Sequence, residues 1–325
     1  MVEMTPELLR QLCRKHKLYT TPDLNDTLYL HYQSFSSIKN LEPYCNLKTL
    51  WLEGNGLKSL EGLEAQSNLR CLYVQENCLD TIDHLSHMTQ LDQLNLNNNL
   101  IKTIENLSCL TSLHTLYLKK NFISTVDDIV HLVECPSISV LDLSENSLEN
   151  PEVIDVFAKM PELRVLYLQG NPLVKHIQNY RKIVISKLPK LTYLDDRPVF
   201  ESERLLVEAW VKGGREGEQI ERERQFEDKR MKEKRNLDAF REMFVKNRTE
   251  NVDSNDESGD EEMPDLEEIG EEEVKREKVP VRNVTKIDTS SVPFVSSQAT
   301  VEEVEEQVDE DDSSVFLTEM GKLHM

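Results

Sequence analysis

Leucine, or an apolar residue in its place, marks positions 1, 4, 6 and 11 of a unit that returns along the chain, and asparagine marks position 9. From Leu47 the chain reads LKTLWLEGNGLKSLEGL, from Leu69 LRCLYVQENCLDTIDHL, from Leu91 LDQLNLNNNLIKTIENL and from Leu113 LHTLYLKKNFISTVDDI, each start 22 residues after the last. Two further copies, from Ile138 and Leu163, come at intervals of 25. A degenerate earlier copy, TLYLHYQSFSSI, keeps Leu28, Leu30, Gln33, Phe35 and Ile38 in phase. The apolar residues at positions 4 and 6 alternate with polar ones, so each unit predicts a short strand with two side chains turned inward. No single unit can bury its apolar face, and stacked units can.

Seven matches to L-x-x-L-x-L-x-x-N-x-L predict an α/β solenoid. Its form is a leucine-rich-repeat horseshoe, with parallel strands on the concave face and turns or short helices on the convex face. Asn55, Asn77, Asn99, Asn121, Asn146 and Asn171 hold position 9. Each is expected to bond backbone groups where the chain leaves the sheet, a structural ladder with no catalytic part. The longer unit NPEVIDVFAKMP predicts a helix, with Asn150 as its cap and Pro151 at its first position. Thr5-Pro6-Glu7 predicts a helix carrying Leu8, Leu9 and Leu12 over the first coil. Leu188, Leu191 and Leu194 predict one more half-coil as a closing cap. The expected divisions are 1–24 (N-terminal capping helix), 25–170 (about seven repeats), 171–212 (cap and short helix), 213–248 (charged helix) and 249–325 (disordered acidic tail).

Charge sharpens that division. The chain has 325 residues and a net charge of −22. Residues 1–200 carry 24 acids and 19 bases, residues 201–250 carry 13 of each, and residues 251–325 carry 23 acids and 6 bases. The low apolar content of the last segment predicts disorder. Within it Ser254, Ser258 and Thr300 stand three residues before an acid, and SSVFLTEM is a short docking candidate. The acidic balance argues against nucleic-acid binding, which needs a positive footprint. No apolar run is long enough for membrane insertion. The charged start MVEMTPELLRQLCRKHK predicts no secretory signal, and the six scattered cysteines are expected to be reduced.

Between the two inward leucines stands a residue that faces the horseshoe's inner wall. Down the chain this column reads Tyr29, Trp51, Tyr73, Asn95, Tyr117, Asp142 and Tyr167, five aromatics of seven in a protein only 6% aromatic. Flanking positions add His31, Tyr32, Glu53, Gln75, Glu76, Asn97, Asn98, Lys119, Lys120, Ser144 and Glu145. Aromatics with a polar border have the composition of a protein-binding hot spot, although aromatics also favour strands for their own sake. No phosphate loop, nucleophile elbow or metal-spaced ligand set occurs, so no catalytic residue, cofactor, metal or small-molecule ligand is expected. His84 and His87 read as surface residues. Asp195 and Asp196 of YLDDRP read as cap residues bonded to Arg or backbone. The three glycines of GGREGEQ read as a hinge.

The repeat class resembles phosphatase regulators and the U2 spliceosomal A-prime protein. A narrower resemblance rests on CRKHKLYTTPDLNDTLYLHYQSFSSIKNLE, LTYLDDRPVF and EAWVKGGREGEQIERER, over about residues 5–230. The first and third blocks lie outside the repeat consensus, and all three resemble the dynein axonemal assembly factor 1 family. That resemblance implies a non-enzymatic scaffold that preassembles axonemal dynein arms in the cytoplasm, needed for cilium structure. It implies dynein chains and chaperone or co-chaperone factors as partners, and cytoplasm and cilium as locations. The wider repeat class leaves a phosphatase-regulatory or spliceosomal-type adaptor as the alternative.

Overall fold

The structure, a computed structural model, describes residues 2–252, with side chains to residue 245. The acidic tail lies outside the described residues from 253 onward, together with its three acid-flanked hydroxyl residues and SSVFLTEM.

Seven three-residue strands run parallel and in chain order: β1 (Thr27–Tyr29), β2 (Thr49–Trp51), β3 (Cys71–Tyr73), β4 (Gln93–Asn95), β5 (Thr115–Tyr117), β6 (Val140–Asp142) and β7 (Val165–Tyr167). β8 (Tyr193–Leu194) extends the sheet in parallel, and β9 (Arg197–Pro198) turns back antiparallel to close it. Each register among the seven pairs leucine with leucine, from Leu28↔Leu50 to Leu141↔Leu166. Leu50, Leu52, Leu57, Leu60 and their counterparts in the other coils are fully enclosed in one continuous core. Burying each such side chain stabilises by about 1.5–3 kcal/mol, and most of the fold's stability comes from that repetition.

The asparagines staple successive coils. Asn77 Oδ1 accepts the Leu57 amide at 3.1 Å, and its Nδ2 donates to the carbonyls of Leu52 and Val74, each at 3.0 Å. Asn55, Asn99, Asn121, Asn146 and Asn171 make the same bonds in their own coils. In the degenerate first coil Gln33 stands in part for asparagine, donating to the His31 carbonyl at 2.8 Å. Just before the asparagine the backbone turns left-handed in every coil, at Tyr32, Gly54, Glu76, Asn98, Lys120, Glu145 and Gly170. Tyr32, Glu76, Lys120 and Glu145 are neither glycine nor the tolerant asparagine, and each such turn costs roughly 1–2 kcal/mol. The ladder offsets that strain by bonding the groups on either side.

The ends are closed differently. Helix α1 (Pro6–Lys15), capped by the Thr5 hydroxyl, lays Leu9, Leu12 and Cys13 over the first coil. At the other end Asp195 does the work of a further strand. Its Oδ1 accepts the amides of Leu168 and Gln169 at 2.8 and 3.0 Å, in place of the strand carbonyl that serves the equivalent amide of earlier coils. The convex side holds the short helices α2 (Val153–Phe157) and α3 (Pro172–His176), and then α4 (Tyr180–Lys187). Helix α2 starts two residues later than the sequence predicts. Pro151 and Glu152 form a turn whose Glu152 amide donates to Asn150 Oδ1 at 2.9 Å, so Asn150 caps the turn and not the helix.

Helix α5 (Glu201–Val252) is two arms, not one rod. Gly214 takes φ 61° and ψ −144°, a conformation open to glycine alone, and reverses the chain. Gln225 then reaches the Ser202 carbonyl at 3.0 Å, although an unbroken helix would hold these residues about 34 Å apart. At the crossing a Cβ on Gly217 would lie 2.5 Å from the Ala209 carbonyl oxygen. The hinge expected at GGREGEQ thus acquires a specific form, a helical hairpin docked on α4.

Candidate protein-binding face

Because each strand is three residues long with its centre buried, the residue after the centre faces the concave wall in every coil. The register places Tyr29, Trp51, Tyr73, Asn95, Tyr117, Asp142 and Tyr167 in one line across the sheet, all half-buried. The sequence-predicted column is therefore one physical surface, but its aromatic rings do not form one continuous ridge.

The ridge is confined to the N-terminal coils. Trp51 and Tyr73 stack with centroids 3.9 Å apart and planes 15° from parallel, and Tyr29 stacks on Trp51 at 6.3 Å. His16, just past α1, sits 5.3 Å from Tyr29 and 5.7 Å from His31. His16 was not visible as a site residue, because its position depends on the docking of α1 and not on the repeat. Burial, and after it the neighbouring His31 and Lys15, lowers its pKa. The Tyr32 ring lies over Gly54, where it leaves no room for a Cβ, and its hydroxyl donates to Glu76 at 3.2 Å. Glu53 accepts from Gln75 beside Trp51. Three stacked rings, two histidines and an acidic edge thus converge within three coils.

Beyond Tyr73 the wall is polar and satisfied from within. Asn95 Oδ1 accepts the Asn97 amide at 3.1 Å, Asn97 Oδ1 accepts the Lys119 amide at 2.7 Å, and Asp142 Oδ1 accepts the Ser144 amide at 2.9 Å. Lys119 Nζ lies 2.8 Å from Glu145, which also meets Lys120 at 3.4 Å. The bond to Glu145 raises the Lys119 pKa, and the bond to Lys119 lowers that of Glu145. Tyr117 stands alone between Asn95 and Asp142, and Tyr167 meets only Tyr193 of β8, at 5.9 Å. Tyr193 was hidden in the sequence because it lies in the column preceding the inward leucine, opposite Val165.

No catalytic arrangement emerges among the described residues. An open groove of about 390 Å3 is bordered by Arg70, Cys71, Gln90, Asp92 and Ser112, with no activated nucleophile among them. His84 does approach carboxylates, Glu64 at 4.0 Å and Asp83 at 3.7 Å, nearer than sequence spacing implied. Among the described residues no three or more His, Cys, Asp or Glu side chains could hold a metal. Asp195, whose carboxyl pKa is raised by burial, spends its lone pairs on backbone amides. No described helix is long and apolar enough to cross a membrane.

Known proteins share both the repeats and the segment after them. A leucine-rich-repeat family model matches residues 81–225, and a second, for two copies of the repeat, matches 45–87. Dynein axonemal assembly factor 1 of Mus musculus is 63% identical over 265 residues, 81% of this chain and 41% of that protein. The Homo sapiens protein of that name is 64% identical over 247 residues, covering 76% of this chain and 34% of its own length. Leucine-rich repeat-containing protein ODA7 of Chlamydomonas reinhardtii is 54% identical over 240 residues, covering 74% and 56%. This chain spans about two fifths of the mammalian relatives first matched. Among solved structures, an internalin of Listeria monocytogenes is 23% identical with a TM-score of 0.47, covering 61% of this chain and 52% of its own. The Drosophila melanogaster SNF/U2A' complex gives 22% and 0.30, covering 69% and 99%. Neither likeness bears on function.

Proposed function

The chain belongs to the leucine-rich-repeat family of dynein axonemal assembly factor 1, and from that premise we propose that it is a non-enzymatic binding scaffold for the assembly of axonemal dyneins. It acts in the cytoplasm of ciliated cells, ahead of delivery to the cilium. Its partners are dynein chains and the chaperone factors that mature them, held on the concave wall. The observation that carries this reading is the reach of the similarity. A match of 265 residues is longer than the whole solenoid and its cap, so repeat geometry alone does not account for it.

The aromatic ridge of Tyr29, Trp51 and Tyr73 supplies the contact. Interface energy concentrates in a few Trp, Tyr and Arg side chains, and here three rings are held half-exposed by a rigid sheet. Little ordering entropy is lost when a partner docks on a surface already fixed. The polar half of the wall, its charges paired within the chain, serves alignment more than affinity.

The test is a double substitution, Trp51→Ala with Tyr73→Ala. Expressed in ciliating cells, the variant is expected to lose co-purification of dynein heavy and intermediate chains by about tenfold or more. Its circular dichroism and melting temperature stay near wild type, because neither ring belongs to the enclosed core. Undiminished dynein capture by a folded variant would rule out the concave ridge as the contact.

A further inference from the structure

In the first three coils the chain leaves the wall along an edge that carries His31, Tyr32, Glu53, Gln75 and Glu76, with no lysine or arginine. The Tyr32 hydroxyl donates to Glu76, and the Gln75 amide donates to Glu53. With Nε2 so committed, Gln75 Oε1 is buried and has no partner among the described residues. Each carboxylate bonds only an uncharged side chain among the described residues, and Glu53 is half-buried beside Trp51. Farther along the wall Glu145 meets Lys119 and Lys120, and Asp92 meets His114. The opposite edge of the first three coils mixes the two signs, with Asp26, Lys48 and Arg70. Two carboxylates of adjacent coils, neither answered by a cation, thus stand beside the ridge.

Ring and carboxylates together select one kind of cation. One face of the Tyr32 ring rests on Gly54 and the other is open, with the residue 61% exposed. Glu53 adjoins Gly54 in the chain and Glu76 lies at the hydroxyl end of the ring, so both carboxylates border it. No lysine or arginine among the described residues covers that ring. A guanidinium is planar and stacks on an aromatic face while its donors, which lie in its own plane, reach acceptors at the rim. Its hydrogen bonds to carboxylates are roughly twice as strong as those between neutral groups. An ammonium is a strongly hydrated point charge and gains less from the ring. A divalent cation is the poorer fit, since no three or more metal-binding side chains come together among the described residues.

We propose that Tyr32, Glu53 and Glu76 form a subsite for one arginine side chain of the protein that docks on the ridge. The guanidinium lies on the open face of Tyr32 and donates to both carboxylates, while neighbouring apolar residues of the same partner segment meet Trp51 and Tyr73. This inference rests on the ridge being the contact, and it adds the chemistry of what the ridge accepts. The rings supply most of the affinity, and the carboxylates decide which segment is taken.

Neutral isosteres in the full chain test this. Glu53→Gln with Glu76→Gln keeps an acceptor for Gln75 and for Tyr32, so the variant is expected to fold and to melt as wild type does. In ciliating cells it should co-purify dynein chains about tenfold less well, and the remaining capture should depend less on salt. A photoreactive benzophenone side chain at Asn98, exposed and one coil beyond Glu76, then identifies the partner segment by mass spectrometry. That segment is expected to contain an arginine whose change to glutamine lowers capture about tenfold on wild type and about twofold or less on the Gln–Gln chain. A segment without arginine, losses that simply add, undiminished capture by the Gln–Gln chain, or full capture with lysine in place of the arginine would overturn the subsite. If Trp51→Ala with Tyr73→Ala loses capture while the Gln–Gln chain does not, the ridge stands and the subsite alone falls. If neither variant loses it, the ridge itself is not the contact and both readings fall.

Discussion

The solenoid and the hairpin behind it hold their shapes by opposite means. In the solenoid each coil contributes the same enclosed leucines and, after the first coil, one asparagine, and exposed ion pairs between coils such as Lys119–Glu145 add little to that. At the hairpin the joint is almost wholly polar. Arg181 of α4 grips Glu203 with two nitrogens, at 2.6 and 2.8 Å, while bonding the carbonyls of Leu194 and Pro198. Arg204, one residue along, reaches back to the carbonyls of Ile185, Leu188 and Leu191. Lys182 pairs with Glu218 at 2.5 Å and lies 5.5 Å over the Trp210 ring. In this joint only Val207 is fully enclosed from the first arm. A core of repeated apolar contacts is stiff and insensitive to salt. A joint of charged hydrogen bonds is geometrically specific, worth less per contact, and sensitive to pH and ionic strength.

The largest expected effect separates the two regions directly. Leu96 is wholly enclosed in the middle coil. Leu96→Ala should cost about 2–5 kcal/mol, read from chemical denaturation, because the rigid coils on either side cannot collapse into the space. Since coils touch only their neighbours, hydrogen exchange should rise first in β3, β4 and β5 and leave the hairpin as it was. Unchanged exchange in those strands would contradict the register.

A smaller effect should appear when the hairpin alone is strained. Gly217→Val puts a side chain where the Ala209 carbonyl sits at 2.5 Å, so the arms must part. A cost of about 1–3 kcal/mol is expected, confined to amide exchange in residues 202–226, with the solenoid's melting unaltered. If solenoid and hairpin were one cooperative unit, both would loosen together.

The same difference explains what was legible in the sequence. The strands, the enclosed leucines, the asparagine ladder and the line from Tyr29 to Tyr167 all depend on one period, so sequence spacing places them. The left-handed turns at Tyr32, Glu76, Lys120 and Glu145 do not, because those residue types carry no mark of that backbone, which the ladder imposes from outside. The stacking of rings in only three coils was hidden for a related reason. A column shows which residues share a face, whereas ring contact depends on what stands between them, and Asn95 and Asp142 interrupt it. His16, Tyr193, and the paired arginines Arg181 and Arg204 reach their places through tertiary docking without a period. Gly214 and Gly217 were visible as a break, but the reversal depends on one glycine's dihedral angles and on the space beside another.

The smallest expected effect is the loosening of the joint by acid. Glu218 has its pKa lowered from the ordinary glutamate value, chiefly by its bond to Lys182 and further by Arg222. A carboxyl depressed in the folded state contributes stability that is present above its unfolded value, near 4.5, and is lost as pH falls through the folded value. Asp195 acts in the opposite sense, since its raised carboxyl favours the folded state below its ordinary value and loses that contribution as pH rises through the raised one. Below about pH 4.5, exchange in residues 215–226 should therefore accelerate while the sheet edge held by Asp195 does not loosen with it. In Glu218→Gln the hairpin should exchange faster at neutral pH and show a weaker dependence on acid. High salt at neutral pH should mimic part of the acid effect in wild type, because the pair is near the surface and open to screening. Acid loosening of equal size in the Gln variant would place the sensitive group elsewhere in the joint.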